Sequence, residues 1–179
     1  KNPRSTVGTT TEIYDYLRLL FARAGTAYSY LSGEKMVKYT EEQILDLIHR
    51  DYKGKRIYIL APLVRTRKGH YKELFEQIRK KGYLYVRVDG EVKEIVHGMK
   101  LDRYKNHDIE VVIDKTVVTE KEEKRLKQSV TTAMQQGDGL LMILDAQTES
   151  VRHYSKRLMC PVTGISYREP APHNFYFNS

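Results

Sequence analysis

The chain has 179 residues, 40% of them hydrophobic and 30% charged, with a formal net charge of +8. That supplies a packed core for one domain, or for one domain with part of another. No apolar run approaches the roughly 18 residues of a membrane helix, and the single cysteine, Cys160, excludes an internal disulfide framework. A reducing cytoplasm is the expected compartment. The opening Lys1-Asn2-Pro3-Arg4 has neither Met nor an apolar signal segment and reads as an excised boundary.

In chain order, Thr10 caps a predicted helix in which Ile13, Leu17, Leu20, Phe21 and Ala24 recur at helical spacing, and Gly25 stops it. A polar connector follows to Gly33. Thr40 and Gln43 form a capping-box pattern ahead of a second helix with Ile44, Leu45, Leu47 and Ile48 on its core face. Arg56 to Ala61 reads as a strand that ends at Pro62, and Arg65 to His70 as a basic loop. A third helix carries Leu74, Phe75 and Ile78 and ends at Gly82.

Next comes period-2 alternation, with Leu84, Val86 and Val88 on one face and Tyr83, Tyr85, Arg87 and Asp89 on an exposed one. Asp89-Gly90 signals a hairpin, with Glu91 to Val96 as the return strand. Ile109 to Val118 is a further strand. Thr119 caps a long helix with Leu126, Val130, Ala133 and Met134 inward, ended by Asp138-Gly139. Leu140 to Leu144 is a short buried strand, and the chain is irregular and turn-rich from Ser150. Three strands without an intervening helix between 83 and 118 argue for an α+β fold, a mixed sheet with helices packed mainly on one side.

The basic excess is local. Between Arg50 and Lys81 there are 11 Lys or Arg against 3 Asp or Glu, which accounts for the whole +8. Such a cluster attracts phosphate or an acidic protein surface. Arg65, Arg67, Lys68, Lys72, Lys80 and Lys81 are the candidate DNA-attracting residues, for weak and non-specific binding. Against this stands an ordinary solvated face, with Lys80-Lys81 favouring a helix C-terminus.

Catalytic signals are weak. The nearest approach to a phosphate loop, Gly54-Lys55, lacks the upstream glycine and the hydroxyl residue. No two of the six histidines lie four residues apart. Glu91-Val92-Lys93 fits half of a metal-dependent nuclease arrangement, but the preceding candidate strand offers no second carboxylate. The expectation is a non-enzyme, with no catalytic, cofactor or metal residue in the chain. Tyr83, Tyr85 and Arg87 are instead the residue types that anchor protein interfaces or stack on bases.

Several stretches carry a family resemblance. Asn2-Pro3-Arg4-Ser5-Thr6-Val7-Gly8-Thr9, with Thr11 to Arg23 after it, resembles the segment that follows the first ATP-binding half in the UvrA family of bacterial excision-repair proteins. Leu60-Ala61-Pro62, Arg67-Lys68-Gly69, Val86-Arg87-Val88-Asp89-Gly90-Glu91, Ile109-Glu110-Val111-Val112-Ile113-Asp114, Cys160-Pro161 and Phe175 to Ser179 match in the same order.

The resemblance implies a DNA-damage sensor of the ABC ATPase class that works as a homodimer with UvrB. It implies that residues 1–39 and 155–179 are segments of a helical signature domain, the latter a truncated zinc module, and that 40–154 are a UvrB-binding insertion. Two basic positions of the family's UvrB contact fall at Tyr85 and Lys115. The implied docking set is Lys115, Arg87, Tyr85, Tyr83, Asp89 and Asp114. ATP and zinc belong to the parent family, not to this segment, and Thr163 stands where the family has the second Cys of a Cys-x-x-Cys pair. The runner-up reading is a DNA-contacting domain in which UvrB docking is secondary.

Overall fold

The structure is a computed structural model that describes residues 20–23, 26–29, 33–160, 163–164 and 166–167. It divides into two compact units, Glu41–His153 and a second made of Lys1–Thr40 with Tyr154–Ser179.

The larger unit is built on a six-stranded sheet. Its strands are β3 (Arg56–Lys68), β4 (Tyr85–Val88), β5 (Glu91–Glu94), β6 (Asn106–Val117), β7 (Leu140–Asp145) and β8 (Val151–Ser155), in the spatial order β5-β4-β6-β3-β7-β8. The last two residues of β8 belong to the second unit. Strands β3 through β7 pair antiparallel. The helices are α1 (Glu41–Tyr52), α2 (Lys72–Lys80) and α3 (Glu123–Gln136), the last entered through a 3₁₀ turn at Glu120–Glu122. This is the expected α+β architecture.

Register sorts the strand residues into two faces, because residues directly opposite each other point the same way. Ile57, Ile59 and Ala61 of β3 share a face with Val111 of β6, Val86 of β4 and Ile143 of β7. All six are buried. Helix α3 packs against β3, β6 and β7, and α1 packs on α3. Leu126, Val130, Ala133 and Met134 of α3 and Ile44, Ile48 and Tyr52 of α1 are buried. Leu45 and Leu47, expected inside, are half-buried.

The opposite face is not simply solvent-exposed. Leu60, Val112, Met142 and Leu144 form a buried cluster there, with Tyr58, Tyr85 and Val151 packed against it. Tyr83, Tyr85 and Arg87 are therefore half-buried rather than exposed, whereas Leu84, expected inside, is 67% exposed.

Other expectations are corrected. The helix from Thr10 does not hold at its end, where β1 (Leu20–Arg23) pairs antiparallel with β2 (Thr26–Ser29), inside the stretch expected as a connector. Residues 10–19 lie outside the described residues. A short apolar run with aromatic residues reads equally as strand or helix, and here the strand is formed.

Strand β3 does not stop at Pro62 but runs to Lys68, so most of the supposed basic loop is strand. Pro62 is tolerated because pairing is irregular on its C-terminal side and β7 pairs only as far as Leu60. Thr119 precedes the 3₁₀ turn in extended conformation but makes no side-chain capping bond. The tail expected to be irregular from Ser150 contains β8, and in the second unit β9 (Leu158–Met159) pairs with β10 (Ser166–Tyr167). The Asp89-Gly90 hairpin is as expected, with both turn residues at positive φ, 50° and 87°, the pattern of a type I′ turn.

Candidate functional site

The sheet face turned away from α3 carries the densest group of sequence-predicted site residues. Tyr85 of β4 and Lys115 of β6 lie on it, with Tyr58 of β3 directly opposite Lys115. The Lys115 ammonium sits 4.0 Å from the Tyr85 ring centroid and 4.9 Å from that of Tyr58. Two aromatic rings thus hold one exposed cation against the buried Leu60–Val112–Met142–Leu144 cluster. Cation–π contacts of this kind are worth about 0.5–1 kcal/mol at exposed sites and more when a partner excludes water.

Arg87 lies on the same face but is occupied. Its guanidinium donates to Glu110 at 2.5 Å, the Glu110 side chain is 4% exposed and that of Arg87 18%. Burial pushes the Glu110 carboxyl above its ordinary value, and Arg87 pulls against that shift. The expectation that Arg87 is an exposed docking charge is corrected, because it neutralises a buried carboxylate inside the domain.

Arg65 is likewise turned inward from the DNA-attracting set. Its Nη2 lies 3.9 Å from Met142 Sδ and 3.1 Å from His153 Nδ1. Burial, then Arg65 and Arg87, hold His153 down to about 4, so its Nδ1 accepts the Arg65 bond.

The two acids of the docking set lie apart from this face. Asp114 lies on the helix side, accepting from Arg125 Nε at 2.9 Å, Arg125 Nη2 at 2.7 Å and Ser129 Oγ at 2.7 Å. Desolvation raises its carboxyl, but Arg125 and Ser129 outweigh that and hold it low. Asp89 is in the hairpin turn, where it accepts from His107 at 2.7 Å and from the Asp108 amide at 2.9 Å. Tyr83 precedes β4, and its amide donates to Ile78 O at the end of α2.

The basic residues divide too. Arg67, Lys68 and Lys72 are exposed near the start of α2, while Lys80 and Lys81 lie at its far end, where Lys81 Nζ donates to Gln136 Oε1 at 3.1 Å. The structure adds Tyr58, Glu110, His107 and Arg125, which sequence reasoning did not single out. A glutamate within the apolar Ile109-Glu110-Val111-Val112 run was a signal for a buried pair, because a lone carboxylate there is too costly.

Among the described residues no group of three His, Cys, Asp or Glu is placed to hold a metal ion. Cys160 is buried. With Thr163 three residues on and no second Cys in the chain, these residues do not fit the four-ligand set of a structural zinc site. No helix among the described residues is long and apolar enough to cross a membrane.

The site is thus an aromatic-clamped cation on the sheet face opposite α3 of an α+β domain. Among known proteins, the family described as the UvrA interaction domain matches residues 39–147. UvrABC system protein A of Methanothermobacter thermautotrophicus is 49% identical over 182 residues, covering 99% of this chain. The proteins of the same name from Bacillus subtilis and Deinococcus radiodurans are 45% and 43% identical over 100% and 99% of it. The chain belongs to the UvrA family, and it spans 18–19% of the length of these relatives.

Proposed function

We propose that this chain is the protein-docking module of a UvrA-type nucleotide excision repair protein, and that its partner is UvrB. The supporting observation is the Lys115 ammonium held over Tyr85 and Tyr58 on the sheet face that the helices leave uncovered. A cation fixed by two rings is pre-organised for a carboxylate on a partner, and aromatic residues beside it supply contact area at little entropic cost. In this reading Lys115, Tyr85 and Tyr83 meet UvrB, while Arg87, Asp114 and Asp89 hold their strands in place. Residues 40–154 are the UvrB-binding insertion, with signature-domain segments on either side, in a parent that is a homodimeric ABC-class ATPase.

The test is UvrB affinity of the full chain by calorimetry. Lys115→Glu should weaken binding at least about tenfold, as loss of a central interface charge does, with an unchanged unfolding midpoint. Lys72→Glu, on an exposed helix start elsewhere, should slow association and leave complex lifetime near that of the parent chain. Unchanged affinity in Lys115→Glu refutes this placement of the interface.

A further inference from the structure

The basic excess has a second focus that the docking face does not use. The end of β3, the start of α2 and the 97–105 connection meet at one corner, where a pocket is lined by His70, Lys72, Lys100, Leu101 and Arg103. No acidic side chain lines it. Arg67 and Lys68 continue the same surface along β3, and Lys105 precedes the β6 residue opposite Lys68. These cations are all exposed. Two acids lie near the pocket without lining it: Asp102 accepts from the Tyr104 amide at 2.9 Å, and Glu73, largely exposed, lies 3.9 Å from His70.

The connection that carries Lys100, Arg103 and Lys105 is pinned at several points. Gly98 N donates to Glu76 Oε1 at 3.2 Å and Leu101 N to His70 O at 2.8 Å. His107 Nε2 lies 2.7 Å from Asp102 O while its Nδ1 lies 2.7 Å from Asp89 Oδ2. Both partners are acceptors, so the buried ring fits as an imidazolium donating from both nitrogens. The cations are therefore presented on fixed backbone, which lowers the ordering cost of meeting a regular array of negative charge. Lys115 lies eight residues along β6 from His107, about 25 Å at strand rise.

We propose that this corner binds the phosphodiester backbone of DNA, through Lys72, Lys100 and Arg103 around the pocket with Arg67, Lys68 and Lys105 extending the track. A row of cations around an acid-free concavity matches repeated phosphates better than a single carboxylate, and nothing in it reads base sequence. The site is separate from the docking face and does not depend on the UvrB reading.

The test compares two charge-matched pairs in the full chain, Lys100→Gln with Arg103→Gln and Lys80→Gln with Lys81→Gln. Each is titrated against a fluorescent duplex over a range of salt, after checking that unfolding midpoints are unchanged. The first pair should weaken binding about tenfold and lower the slope of log K against log salt by about 1.8, two phosphate contacts at about 0.9 each. The second, with the same loss of charge at the other end of α2, should stay within about twofold. Equal effects of the two pairs would mean attraction by net charge alone and overturn the site. An effect of the first pair on UvrB binding but not on duplex binding would make the corner a protein contact, which also overturns it.

Discussion

Arg87→Ala should unfold the domain more readily rather than merely discharge its surface. Its guanidinium donates to the Glu110 carboxylate, which is almost fully buried beside Val111 and Val112. Truncating one partner of a buried ion pair costs roughly 3–5 kcal/mol. Arg65 also attracts Glu110, and the Arg87 side chain keeps some solvent contact. Both effects place the expected loss at the low end, about 3 kcal/mol, or a midpoint about 10 °C lower for a domain of this size. Urea unfolding measures it, with the slope unchanged. Adding Glu110→Gln to Arg87→Ala removes the stranded charge and should recover about half of the loss. Arg87→Glu should be worse than Arg87→Ala, since it faces one carboxylate with another. If Arg87→Ala unfolds within about 0.5 kcal/mol of the parent chain, Glu110 does not carry a buried charge and the argument fails.

Two further predictions follow from the same bookkeeping of partners. The Asp89 hydrogen bond, then the Asp102 carbonyl against the cost of burial, raises His107 above its ordinary value, with Tyr71 edge-on to the ring and Arg67 across the ladder. A raised folded-state pKa gives stability that is complete below about 6.5 and is lost as pH rises through the folded value. Urea midpoints should therefore fall above neutral pH in the parent chain, and His107→Gln should flatten that segment; parallel curves would refute this role of His107. Asp114→Ala removes the bidentate Arg125 contact and the Ser129 bond and should cost about 1–3 kcal/mol, with UvrB affinity within about twofold of the parent chain. A large affinity loss in a folded Asp114→Ala would return Asp114 to the interface.

Much of the fold was legible because its periods are clean. Ile44 and Ile48 in α1, Phe75 and Ile78 in α2, and the Leu126–Met134 series in α3 all bury the side that helical spacing indicates. What failed was local punctuation. Pro62 read as a stop, but in an antiparallel strand it needs only an irregular pairing beside it. The site was half legible. Tyr85 stood out by alternation and Lys115 by family resemblance, while Tyr58, the second ring against Lys115, comes from a strand whose pairing no local pattern gives. Alternation along β4 alone points to an exposed face at Tyr83, Tyr85 and Arg87. The unbroken apolar run Ile57 to Ala61 and the Val111-Val112-Ile113 centre already indicated strands buried on both sides.

The least legible feature decides the chemistry of the face. Ile59 pairs with Asp114 but Leu60 pairs with Val112, so Ile113 is an extra residue in β6, a bulge. Alternation on either side of it is therefore out of phase by one. With the bulge, Val111 and Asp114 both point to the helices, while Val112 and Lys115 both point to the opposite face. Asp114 reaches Arg125 and Ser129, and Lys115 reaches Tyr85 and Tyr58. In a regular strand continuing from Val111 and Val112, Asp114 would lie on the face of the apolar Leu60, Met142 and Leu144 cluster, away from Arg125 and Ser129, and Lys115 would be driven against the helix face. Ordinary alternation lets the Val-Val pair serve both faces of the sheet, and the bulge at Ile113 then turns the acid toward the helix it fixes and the cation toward the face where a partner can meet it.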